Sequence, residues 1–113
     1  MEIMNIPRAC GKSTNIIIEA VKTGYPVIVG TKNHKRLLER RAEEVTNKRI
    51  SIYTVAEFCD DGFWQGKIDF KPKKVLIDEL PFVLSYLLNA ECEMATMTSK
   101  SLEEYYGHRD ENV

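Results

Sequence analysis

IPRACGKST, residues 6–14, joins a short apolar run, MEIMNI at 1–6, to a stretch with helical spacing. A strand, a loop and a helix start in that order can turn several backbone N–H groups, and the positive end of the helix dipole, toward an anion. Gly11 lets the backbone approach closely, Lys12 supplies a point charge, and Ser13 or Thr14 can begin the helix. The general pattern for such a loop is G-x-x-x-x-G-K-[ST]. Ile6 stands where its first glycine belongs, with Pro7 to pre-set the turn and Arg8 as a second cation. Cys10, beside Gly11, is either a small residue that fits the loop or a thiol activated by the helix N-terminus.

The same alternation runs on from this stretch. Ile16, Ile17, Ala20 and Val21 lie on one helical face within 13–23, and Gly24 and Pro26 stop that helix. Val27-Ile28-Val29 reads as a strand buried on both faces. A charged helix is predicted over 33–45 and a third strand over 49–55. Thr54 and Glu57 form a capping box for a short helix containing Phe58. Residues 60–73 read as a loop pinned by Phe63 and Trp64. A fourth strand over 74–78, a helix over 81–89 with Pro81 in its first turn, a fifth strand over 91–98 and a last helix over 99–106 complete the pattern. The expectation is one α/β domain over 1–113, three-layered, with a mainly parallel five-stranded sheet flanked by helices and a frayed tail at 108–113.

In such sheets ligands bind beyond the carboxyl ends of the strands. Three chemically suggestive stretches fall there: 7–14, Asp78-Glu79 and Thr96–Thr98. The apolar run Val75–Ile77 ending in Asp78-Glu79 asks for compensation of buried carboxylates, which Mg²⁺ with a nucleotide supplies. Asp78-Glu79 also suits a plain helix start.

With a net charge of −1, the chain lacks the bulk charge of a nucleic-acid binder. Three cysteines, Cys10, Cys59 and Cys92, at wide spacing argue against a disulfide framework or a zinc site. There is no apolar run long enough to span a membrane and no signal-peptide pattern, so a cytoplasmic location is expected. The cations Lys32, Lys35, Arg36, Arg40 and Arg41 share their helix with Glu39, Glu43 and Glu44, so pairing along the helix accounts for them better than DNA contact. His34 reads as a surface histidine.

The segment Pro7-Arg8-Ala9-Cys10-Gly11-Lys12-Ser13 resembles the deviant phosphate loop of phage terminase ATPases and related helicases, within the P-loop NTPases. Val75–Glu79 resembles the Walker B strand and catalytic glutamate of their additional-strand class. The resemblance implies ATP and Mg²⁺ as ligands, with Arg8, Ala9, Cys10, Gly11, Lys12, Ser13 and Thr14 around the phosphates. It implies Ser13 and Asp78 on the metal, and Glu79 with Lys12 as catalytic groups. Met94–Thr98 resembles the hydroxyl-rich element that senses the γ-phosphate, with Thr96 as the contact. In the family that strand lies between the phosphate-loop strand and the Walker B strand.

The resemblance covers one ATPase core and assigns no arginine finger; Arg8, Arg40, Arg41 and Arg109 are the candidates. It implies weak or partner-dependent hydrolysis in a DNA-related process, a phage origin, and a partner or oligomer supplying the finger. Asp78-Glu79-Leu80-Pro81-Phe82 is also similar to the D-E-x-x-F of type II thymidine kinases, though their zinc-binding cysteines are missing. A third expectation is a non-hydrolysing nucleotide-sensing or host-protein-binding module.

Overall fold

The structure, a computed structural model, describes residues 12–66 and 70–96. Helix α1 (Lys12–Thr23) precedes strand β1 (Val27–Val29), helix α2 (Lys32–Thr46) and strand β2 (Ile52–Thr54). Two short helices, α3 (Val55–Cys59) and α4 (Asp61–Trp64), lead to β3 (Leu76–Ile77) and α5 (Leu80–Leu88). The sheet is parallel, in the order β2-β1-β3, with Val27 opposite both Ile52 and Leu76.

Alternation along β1 divides the core. Val27 and Val29 face one side, where they meet Ile16, Ile17 and Ala20 of α1 and Leu38 and Ala42 of α2. Ile28 faces the other, against Val55 of α3 and Val83 of α5. All three β1 residues are buried, as the β-branched run predicts. Each fully buried aliphatic side chain is worth about 1.5–3 kcal/mol, so β1 is the centre of the fold energetically as well as spatially. The result is a small α/β domain with helices on both faces of a three-stranded parallel sheet.

Local signals place the helix ends. Gly24 takes φ 76° and its N–H reaches the Ala20 carbonyl at 2.9 Å, closing α1. Thr31 caps α2 by accepting from the His34 N–H. Thr54 and Glu57 make the predicted capping box in full. Pro81 sits in the first turn of α5.

Three expectations need correction. Residues 61–64, read as loop, form the helical turn α4, because Asp60 accepts from the Gly62 N–H and caps it. Its aromatic rings do pin it: Tyr53, Phe63 and Trp64 meet edge-on, and Trp64 donates to the Phe58 carbonyl at 3.1 Å. The strands are shorter than the apolar runs, since Ile50 and Val75 pack on the core without joining the ladder. Residues 91–96 form no strand. Asn89 turns left-handed at the end of α5, and residues 90–96 meet no ladder partner, leaving Met94 87% exposed. The sheet described therefore has three strands rather than five. The expected strand at 1–6, residues 97–98 of the expected fifth strand, the expected helix at 99–106 and the tail at 108–113 lie outside the described residues.

Candidate functional site

The strand order creates a switch point. From β1 the chain leaves through α2 on one face to reach β2; from β2 it crosses through α3 and α4 on the other face to β3, on β1's far side. Connections therefore diverge above the carboxyl ends of β1 and β3, the place where a parallel sheet opens a crevice. Gly30 and Thr31 follow β1 there, and Asp78 and Glu79 follow β3. The Asp78 N–H donates to the Ile28 carbonyl at 3.1 Å, which holds the two exits side by side.

Asp78 is only 5% exposed, as the sequence requires of a carboxylate ending an apolar strand. Its partner is His34: Nε2 lies 2.8 Å from Oδ2. His34 is in the first turn of α2, fixed by the Thr31 cap, so its ring reaches over β1 to the end of β3. Reading it as a surface histidine overlooks this. The available signal was its position, one cap after a central strand, on the same end of the sheet as Asp78.

Glu79 adopts φ 61° and ψ 67°, the left-handed region, and forms the N-cap of α5 without a side-chain cap bond. A non-glycine residue there costs about 1–3 kcal/mol, and such strain gathers at functional sites. Gly30 allows α5 to come close. A Cβ on Gly30 would stand 2.9 Å from Phe82 Cβ and 3.3 Å from its carbonyl carbon.

Of the predicted phosphate-loop residues, Arg8, Ala9, Cys10 and Gly11 lie outside the described residues, and Lys12 enters as the first residue of α1. Ser13 and Thr14 are half-buried in the first turn of α1. Thr14 Oγ1 accepts from Arg41 Nη2 at 3.4 Å, and Arg41 also approaches Glu44 at 3.5 Å. No hydrogen bond joins Ser13 or Thr14 to Asp78. Thr96 is exposed on the irregular segment after α5, so no strand end presents it to the crevice.

The basic helix face is partly absorbed by structure. Lys35 donates to Glu57 at 3.0 and 3.4 Å. For Glu57, burial is the strongest single influence and opposes ionisation. The Thr54 N–H, Lys35 and the Thr54 hydroxyl together outweigh it and hold the carboxyl below its ordinary value. Among the described residues no group of three or more His, Cys, Asp and Glu side chains is placed to hold a metal. A buried strand-end carboxylate with a hydroxyl at a helix start is instead the donor type Mg²⁺ uses when a nucleotide supplies the remaining oxygens. No helix among the described residues is long and apolar enough to cross a membrane.

Comparison with protein-family models, with curated proteins and with solved structures finds no match to this chain.

Proposed function

We propose that the chain is an ATP- and Mg²⁺-binding P-loop domain, similar to a minimal phage terminase or helicase ATPase core, with weak or partner-dependent hydrolysis. The observation that carries this reading is the buried Asp78, followed by a strained Glu79, at a switch point of a parallel sheet. A solely structural helix start needs neither a buried carboxylate nor a left-handed glutamate. In this reading Lys12 neutralises the terminal phosphates, with Arg8, Ala9, Cys10, Gly11 and Thr14 around them, and Ser13 and Asp78 hold the metal. Mg²⁺ supplies charge neutralisation at the phosphates. Glu79 orients and deprotonates the attacking water. His34 holds the Asp78 carboxylate in place at the mouth of the crevice.

The edge of β3 away from β1 has no ladder partner among the described residues. The family arrangement would add the sensor strand and then the phosphate-loop strand at this edge, but residues 91–96, expected as the sensor strand, do not pair with it.

Thermal unfolding with and without Mg²⁺-ATP tests it, with Lys12→Ala as control. Ligand at about 100 times its dissociation constant adds roughly 2.7 kcal/mol. Each kcal/mol moves the midpoint of a domain this size by roughly 4–8 °C. The expected result is a shift in the wild type that disappears in Lys12→Ala. No shift at saturating nucleotide overturns the reading. Hydrolysis abolished by Glu79→Gln separates an ATPase from a nucleotide-sensing module, and phosphate transfer to thymidine would identify a kinase.

A further inference from the structure

The free edge of β3 has backbone groups to offer. The Leu76 N–H donates to the Pro26 carbonyl at 2.9 Å and the Asp78 N–H to the Ile28 carbonyl at 3.1 Å, so both residues are turned toward β1. In a parallel ladder the residue between two such donors turns its N–H and carbonyl to the opposite edge. That residue is Ile77, and among the described residues no strand lies on that side of it. Ile77 is also exposed, although it belongs to a sheet with helices on both faces.

Helix α5 has the same deficit. Its sequence, LPFVLSYLL, carries no charge, and a helix apolar on every side belongs inside a protein. Yet Val83 is its one buried residue, and Phe82, Tyr86, Leu87 and Leu88 are exposed. Val83 packs on Ile28 of β1 and Val55 of α3, which follows β2. The flank of α5 turned away from these, toward the free side of β3, is therefore uncovered.

The handedness of the crossovers says which segment belongs there. Helix α1 packs on the same face of the sheet as α2, since Ile16, Ile17 and Ala20 share a cluster with Leu38, Ala42, Val27 and Val29. On that face the chain moves from β1 through α2 to β2. Crossovers between parallel strands are right-handed almost without exception, so two crossovers on one face step in the same direction. A strand that precedes α1 and leads through it to β1 must then start on the β3 side of β1. Because β3 fills the place next to β1, that strand comes beyond β3, at its free edge. Residues 7–11 reach up to roughly 20 Å when extended, and neighbouring strands stand roughly 5 Å apart, so the connection is long enough.

We propose that residues 1–6, MEIMNI, dock on the free edge of β3 as a parallel strand and exchange backbone hydrogen bonds with Ile77. Alternation gives Met1 and Ile3 to one face of that strand and Met4 and Ile6 to the other, so it has apolar groups for α5 as well as for the layer of α1. Pairing directly with β3 departs from the family order, which sets the sensor strand between. Its carboxyl end comes to the end of the sheet where Asp78 stands, and residues 7–11 leave from there. The inference rests on the sheet and its crossovers and not on the nucleotide reading.

Amide hydrogen exchange followed by NMR on the full chain, without nucleotide, tests it. The Ile77 amide should exchange within about tenfold of the Leu76 and Asp78 amides, as a paired strand residue does. Proline removes a ladder donor, so of Ile3→Pro and Met4→Pro at least one should speed Ile77 exchange by about tenfold or more. Leu76 and Asp78, bonded to β1, should stay protected in both variants and so report an intact fold. Nuclear Overhauser contacts between Ile77 and residues 2–5 in the wild type decide the case without any variant.

Free-peptide exchange at Ile77 beside protected Leu76 and Asp78 overturns the proposal, as does the lack of those contacts. Protection of Ile77 that survives both prolines overturns it too. If that protection is lost in Met97→Pro, the edge belongs to the strand expected at 91–98; if it grows with protein concentration, the edge is covered by a second copy of the chain.

Discussion

His34 Nε2 and Asp78 Oδ2 are 2.8 Å apart although 44 positions separate the residues, and this contact ties the first turn of α2 to the end of β3. Removing one partner of a buried pair leaves the other without compensation, which costs about 1–3 kcal/mol and more for a charged group. His34→Ala should therefore lower the unfolding midpoint measurably. Asp78→Asn, which keeps the shape and removes the charge, should cost less in the His34→Ala background than in the wild type. A double-mutant cycle by urea unfolding, followed through Trp64 fluorescence, measures the coupling. Additive effects of the two changes would show that the pair does not tie α2 to the end of β3.

Glu79 is strained by its left-handed backbone, at φ 61°. Glycine has no Cβ and accepts that conformation, while alanine pays about 1–2 kcal/mol for it. Both substitutions delete the glutamate side chain alike, so the comparison isolates the backbone. Glu79→Gly should be more stable than Glu79→Ala by about 1 kcal/mol, the reverse of the order expected inside a helix. Equal stabilities would place Glu79 in an ordinary helical conformation and remove the strain argument.

Gly30 leaves no space for a side chain, since a Cβ there would stand 2.9 Å from Phe82 Cβ. Gly30→Ala must push α5 away from the end of β1, and overpacking of this kind typically costs about 1–3 kcal/mol. The variant should unfold at lower urea concentration with an unchanged slope. Phe82→Ala in the same background still carries a Cβ and should not rescue it, whereas Phe82→Gly should restore part of the loss.

Much of this architecture is legible in the sequence. Helices α1, α2 and α5 follow their apolar spacing and caps to within a residue or so at each end, because periodicity and capping are local. The buried β1 follows from three consecutive β-branched residues. Strand length was over-read, because an apolar residue flanking a short strand, such as Ile50 or Val75, packs on the core without ladder bonds. ECEMATMT, 91–98, reads as a strand, but a strand exists only where an edge receives it, and α5 ends in a turn after which residues 91–96 are largely exposed and unpaired. At the candidate site, the position of Asp78 and Glu79 at the end of β3 is legible from their place after an apolar run. His34 and Gly30 are not, because their importance arises from strands that are neighbours in space through crossovers, which no local pattern encodes.

Glu57 offers a prediction in pH. It accepts from the Thr54 N–H at 2.9 Å and from Lys35 at 3.0 Å, joining β2, α3 and α2 through one carboxylate. Burial alone would raise its pKa, but these hydrogen bonds and the Lys35 charge prevail, and the folded value is lowered from the ordinary 4.5. A group with a depressed folded pKa contributes stability that is present above its unfolded pKa and is lost as pH falls through the folded value. Wild type should therefore exceed Glu57→Ala in stability near neutral pH, by about 1 kcal/mol for a lost cap. The ionisation-linked part of that gap should begin to shrink below about 4.5. Lys35→Ala, by removing the cation while leaving the capping box, should show a smaller gap over the same acidic range. Urea unfolding at several pH values between neutral and strongly acidic conditions measures both. A gap that stayed constant across the acidic range would mean that the folded and unfolded forms of Glu57 bind protons equally, and the bridge between β2, α3 and α2 would then rest on the Thr54 hydroxyl cap rather than on the charge of Glu57.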